Sequence, residues 1–80
     1  MRRICYFLVP REISIDHMIA LIDQLPHDAR IVAIRPETNS LSTAFFVEHE
    51  SFREVAYGTI APELLIHWYV GRAPKFVEVY

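Results

Sequence analysis

Arg3-Ile4-Cys5-Tyr6-Phe7-Leu8-Val9-Pro10 is a run of β-formers, and Ile15-Asp16-His17-Met18-Ile19-Ala20-Leu21-Ile22-Asp23-Gln24-Leu25 follows it with a different period. In the first run both parities are apolar. Ile4, Tyr6 and Leu8 fall on one side, and Cys5, Phe7 and Val9 on the other. A strand apolar on both faces is expected to be an inner strand, covered twice. Pro10 ends it. In the second run Ile15, Met18, Ile19, Ile22 and Leu25 recur at helical spacing, so the pattern predicts a helix over 15–25 with one buried stripe. Ile19 and Ile22 are its expected docking residues, and Leu21 flanks the stripe. Ser14 is the expected N-cap, and Asp16 in the first turn meets the helix dipole. Pro26 disfavours α conformation at Leu25 and stops the helix.

A strand followed by a helix sets an α+β reading, and the rest of the chain adds strands. Arg30 to Arg35 carries Ile31, Val32, Ala33 and Ile34. Pro36-Glu37-Thr38-Asn39-Ser40 has turn chemistry. Leu41 to Glu50 alternates, with Leu41, Thr43, Phe45 and Val47 on the more apolar face, which should point to the core. These two segments predict a β-hairpin. Ser51 to Thr59 is less regular: Phe52, Val55 and Tyr57 can anchor a loop, and Gly58 gives it backbone freedom. Glu63 to Val70 is either a short helix opened by Pro62 or a strand with Leu64, Ile66, Trp68 and Val70 on one face. Its β-branched and aromatic content favours the strand. Gly71-Arg72-Ala73-Pro74 is an expected turn, and Lys75 to Tyr80 a last strand. The predicted architecture is one domain in the order β-α-β-β-β-β, one helix packed on a small mixed or antiparallel sheet.

Composition limits function. The 80 residues are 52% hydrophobic and 22% charged, with a net charge of −2. That excludes disorder and low complexity, and it argues against a general nucleic-acid or anionic-membrane binder. No apolar run reaches the ~18 residues of a membrane span. Ile4 to Val9 is too short for a signal-peptide core, so a cytoplasmic protein is expected. The lone Cys5 permits no internal disulfide and no multi-cysteine zinc site.

From Leu25 to Pro62 the string Leu-Pro-His-Asp-Ala-Arg-Ile-Val-Ala-Ile-Arg-Pro-Glu, then Val47-Glu48-His49-Glu50-Ser51-Phe52-Arg53-Glu54-Val55, then Gly58, Ile60 and Pro62, resembles small uncharacterised proteins of tailed phages and prophages. The resemblance covers about half of the chain. It implies a mobile-element origin and carries no activity or site.

Chemistry-bearing patterns are sparse. His17, His27, His49 and His67 form no His-x-His or i,i+4 pair, so no metal site and no cofactor are expected. Cys5 lies in the most apolar run and reads as a packed thiol. His49, Glu50 and Ser51 are the right types for acid–base work, but His49 and Glu50, as strand neighbours, would point to opposite faces. Two glycines, Gly58 and Gly71, cannot make a phosphate loop. No catalytic residue is therefore assigned. Phe52, Glu54 and Tyr57, set among acidic residues, are candidate partner-binding residues. Trp68, Tyr69, Phe76, Val77, Val79 and Tyr80 are the candidate oligomer interface. The apolar excess over what so small a chain can hide predicts a homo-oligomer, most simply a dimer. A small, non-enzymatic, self-associating protein follows. It would bind a host protein partner as a phage accessory or inhibitor protein does. The alternative is a nucleic-acid-binding module stacking bases on Tyr57, Trp68, Tyr69 and Tyr80.

Overall fold

The computed structural model describes residues 2–37 and 41–77. It contains strand β1 (Ile4–Pro10), helix α1 (Ile15–Asp23), and strands β2 (Arg30–Pro36), β3 (Ser42–Glu48), β4 (Ile66–Tyr69) and β5 (Arg72–Phe76). This is the α+β order β-α-β-β-β-β. The strands form two antiparallel sheets, β1-β3-β2 and the hairpin β4-β5. β3 runs antiparallel to both its neighbours. β1 and β2 are therefore parallel to each other, joined through α1 and split by β3.

β1 is not the inner strand of its ladder, because β3 takes the centre. Its outer edge is nonetheless covered. Tyr6 forms a parallel bridge with Glu63 and Arg2 an antiparallel bridge with Val55. The Tyr6 N–H donates to the Pro62 carbonyl at 3.0 Å, and the Leu64 N–H to the Tyr6 carbonyl at 2.7 Å. The two faces are buried unequally. Cys5, Phe7 and Val9 on the helix side are fully buried, whereas Tyr6 and Leu8 on the opposite side are half-buried. Phe7 is the hub of the core. It stacks on Phe45 with centroids 5.4 Å apart and meets Phe76 edge-on at 5.2 Å. Val47, Leu21, Phe52 and Leu64 complete the buried cluster.

The helix starts at the expected cap: the His17 N–H donates to the Ser14 hydroxyl at 3.2 Å. It ends at Asp23 rather than Leu25. Its buried stripe is not the expected one. Leu21 is fully buried, and Met18 and Leu25 pack beside it, while Ile15, Ile19 and Ile22 are 79%, 51% and 42% exposed. At 100° per residue the helix is turned by roughly 60° from the orientation that the isoleucines predict. The cause is long-range. The Gln24 amide donates to the Pro74 carbonyl at 2.9 Å, and its oxygen accepts the Phe76 N–H at 2.9 Å. Gln24 thus acts as a one-residue strand partner for β5 and holds α1 over the hairpin, away from β2.

The last third corrects several expectations. Glu63 to Val70 does contain a strand, but a register shift between His67 and Tyr69 breaks its alternation. Leu64 and Ile66 face the core, while Trp68 and Val70 are exposed. The hairpin turn is Val70-Gly71 rather than Gly71 to Pro74, since Tyr69 pairs with Arg72. Gly71 takes φ +75, which a side chain rarely adopts. β5 begins at Arg72, not Lys75, and the buried Pro74 sits inside it. In β3, Phe45 packs on the core and Val47 is buried within it as expected, but Leu41 precedes the strand and is 78% exposed.

Candidate functional site

The sheet face away from α1 carries an open groove. Tyr6 and Phe46 are paired across β1 and β3, and their rings stack with centroids 5.5 Å apart. Ile4 and Leu8 continue the floor along β1. A register shift between Ile31 and Ala33 inserts an extra residue into β2, and both Val32 and Ala33 line the groove. The far wall is the segment from Ala56 to Ala61, in which Tyr57 is 74% and Ile60 89% exposed. The cavity volume is about 770 Å3, inside the ~300–1,000 Å3 of small-molecule sites.

Charge on the groove is divided. The Arg35 guanidinium carbon sits 5.6 Å from the Phe46 ring centroid, a cation on an aromatic face. Arg35 makes no ion pair among the described residues. Arg2 also lines the groove and pairs with Glu48 at 3.1 Å. Glu37 contributes a carboxylate. The Tyr6 hydroxyl donates to Glu63 at 3.4 Å. Burial, and then the Glu63 carboxylate beside it, hold the Tyr6 phenol above its usual range. Tyr6 therefore stays a neutral donor at physiological pH.

Arg2 and Tyr57 are shared with a second, shallower depression of about 400 Å3, which also holds Arg3, Asp28, Arg30 and His49. His49 Nε2 lies 2.5 Å from Asp28 Oδ1, and Nδ1 lies 2.7 Å from the Ser51 hydroxyl. The three residues form a Ser–His–Asp array. Its tautomer follows from a further contact: the Ser51 backbone N–H donates to Nδ1 at 3.0 Å. Nδ1 is therefore the acceptor, and the ring proton sits on Nε2, donated to Asp28. A general base needs a free lone pair aimed at the hydroxyl proton. Here that lone pair is shared between the serine's own N–H at 3.0 Å and its hydroxyl at 2.7 Å. The array closes a turn, with the Phe52 N–H on the His49 carbonyl at 3.1 Å. The hydrogen bond from His49 holds the Asp28 carboxyl below its usual range. Asp28, His49 and Glu50 also bring possible cation ligands within 4.8 Å of one another.

The other residues singled out from the sequence disperse. Phe52 is not a partner anchor: it is 6% exposed and packs edge-on to His49 within the core. Glu54 pairs with Arg3 at 3.1 Å. Glu54 and Tyr57 are both exposed, and Tyr57 stands on the groove wall. In the expected oligomer interface, Phe76 is spent on the core against Phe7, and Gln24 occupies the β5 edge. The Val77 N–H donates to the Leu65 carbonyl at 2.7 Å. Trp68 and Tyr69 are exposed, with the Arg72 guanidinium 5.3 Å from the Tyr69 centroid. Val79 and Tyr80 lie outside the described residues. Cys5 is a fully buried core thiol. Sequence reading missed the Tyr6–Phe46 pair, although both residues sit on one parity of their strands. It also missed Asp28, whose partner is 21 residues away.

Known protein families, characterised proteins and solved structures contain no match to this chain. No helix among the described residues is long and apolar enough to cross a membrane.

Proposed function

We propose that this chain is a small non-enzymatic protein that self-associates as a two-fold dimer through β2. The carrying observation is that the core face of the sheet is only partly covered. Cys5, Phe7 and Val9 on β1 are sealed by α1 and the hairpin, but Ile31 and Ile34 on the same face of β2 are 40% and 58% exposed. Ile22 of the helix shares a shallow cleft with Ile31. Ile19, Ile22, Ile31 and Ile34 thus make an unfinished layer.

The edge of β2 is equally unfinished. The Glu37 N–H donates to the Ser42 carbonyl at 3.0 Å, so alternate residues of β2 bond to β3. By antiparallel geometry the Ile34 N–H and C=O point the other way, off the sheet. Pro36, of the same parity, has no N–H to offer, so pairing along this edge centres on Ile34. A second copy fits it by charge as well. Arg30 opens β2 and Glu37 follows its end, so antiparallel self-pairing sets each beside the other's counterpart. A continuous six-stranded sheet would bring the isoleucines of both copies together around one axis.

The expected binding of a host protein keeps two exposed residues, Glu54 and Tyr57. An accessory role is compatible with a dimerising domain of this size.

Sedimentation equilibrium across micromolar concentrations tests the proposal. Wild type should show a dimer mass, and Ile34→Lys should give a monomer with an unchanged circular dichroism spectrum. Wild type of monomer mass throughout, or a dimeric Ile34→Lys, overturns it.

A further inference from the structure

We infer that the groove on the opposite sheet face binds a nucleotide unit, a planar base carrying a phosphate. Four observations converge on that chemistry. The floor is a pair of stacked aromatic rings from adjacent strands, Tyr6 and Phe46, half-buried and facing an open cavity. A second aromatic surface stands on the opposite wall: Tyr57 is 74% exposed and belongs to a loop that lines the same cavity. Bases stack on aromatic faces of this kind without sequence readout. Arg35 supplies the anion site, since its guanidinium lies on the Phe46 ring and meets no carboxylate among the described residues. A planar guanidinium offers paired donors that match phosphate geometry. Arg2, at the same groove, is a second cation, held to the Glu48 carboxylate at 3.1 Å.

The acidic groups narrow the ligand rather than exclude it. Glu63 is engaged by the Tyr6 hydroxyl. Glu37 lines the groove and accepts hydrogen bonds only, so it favours a base with an exocyclic amine over one without. Cytosine is then preferred to thymine. The overall charge of −2 argues against a broad electrostatic footprint. A local site for one or two nucleotides is consistent with it, and its source is either a single strand or a free nucleotide.

The stacking floor and Arg35 do not depend on the dimer, because the isoleucines lie on the other face of the sheet; Glu37 alone is shared with the proposed dimer contact to Arg30. The test is therefore run on both wild type and Ile34→Lys. The full chain is titrated with a short oligocytidylate, the matching oligothymidylate, a duplex of equal length and free cytidine monophosphate. Binding is followed by tyrosine and tryptophan fluorescence and by calorimetry. Saturable binding of the oligocytidylate is expected, tighter than of the oligothymidylate and absent for the duplex. Equal affinity per site for cytidine monophosphate assigns the groove to free nucleotides, and much weaker binding assigns it to strands. Phe46→Leu and Arg35→Gln should each weaken binding about tenfold, within the usual range for one stacking or charge-assisted contact. Tyr57→Ala, a change at an exposed loop residue, guards against misfolding at Phe46 and should weaken binding similarly. No saturable binding of any of the four probes overturns the inference. So does binding that Arg35→Gln and Tyr57→Ala both leave intact.

Discussion

Gln24 shows how much one side chain can decide. It stands just before Leu25-Pro26, where the sequence advertises only the end of a helix. Its amide satisfies a carbonyl and an N–H of β5 some 50 residues away. Gln24→Ala should cost about 1–3 kcal/mol, two net hydrogen bonds, in denaturant unfolding. Gln24→Glu, which keeps the acceptor for Phe76 but loses the donor for Pro74, should fall between. Equal stability of all three would mean that the amide does not hold the hairpin. Asp28 makes a second prediction. Its folded-state acidity is raised by the hydrogen bond from His49. The stabilisation is thus present above the unfolded carboxylate value of about 3.9 and is lost as pH falls through the lower folded value. Wild type should exceed Asp28→Asn in Tm near neutrality, and the two curves should converge below about pH 4. A gap independent of pH would show that the carboxylate charge is not involved.

At the scale of elements, the helix and the first three strands are legible in period and turn chemistry, while Glu63 to Val70 reads as either helix or strand and the last strand is read too late in the chain. Ser14 and Pro10 bound their segments where the structure has them starting or ending, whereas the helix stops at Asp23, short of the limit that Pro26 sets. Orientation is less legible. Five apolar positions between Ile15 and Leu25, with Leu21 beside them, leave two adjacent faces that would each pass as a core stripe. Only the hairpin, tied through Gln24, selects the face with Met18, Leu21 and Leu25. Leu21→Ala should therefore cost about 2–5 kcal/mol. Ile22→Ala, at a half-exposed position, should cost about 1 kcal/mol or less in dilute protein. The reverse ranking would restore the isoleucine stripe to the core. The same limit explains the candidate sites. Tyr6 and Phe46 sit on readable parities, yet nothing in either strand says that β3 rather than another strand lies beside β1. The contact of Asp28 with His49 likewise depends on a loop meeting the far end of β3. Phe52 and Phe76 look like surface anchors in sequence because they lie among charged or terminal residues. Both fill gaps around β1 that only the folded chain defines.

For the whole molecule, the question is what completes the layer that α1 leaves open. A helix held over the hairpin shields β1 well and β2 poorly, so the sheet has one finished and one unfinished half. If a second copy finishes it, antiparallel pairing of β2 fixes which charges meet. Arg30 of one protomer lies near Glu37 of its partner, twice by symmetry. Exposed pairs contribute about 0.2–1 kcal/mol each, so losing both should weaken the dimer between about twofold and thirtyfold. Arg30→Glu alone and Glu37→Arg alone should each do so, with like charges then opposed. The exchanged protein carrying both changes should recover much of the wild-type affinity, although Arg30 also meets Glu48 at 3.4 Å within its own chain. A control with Glu48→Gln separates that internal contact. Added salt should narrow the differences among all variants, because the charges are solvent-exposed. Dimer dissociation constants from sedimentation give the answer. Recovery in the exchanged protein supports antiparallel β2 pairing. Additive weakening by the two changes places Arg30 and Glu37 apart and moves the two-fold axis off β2.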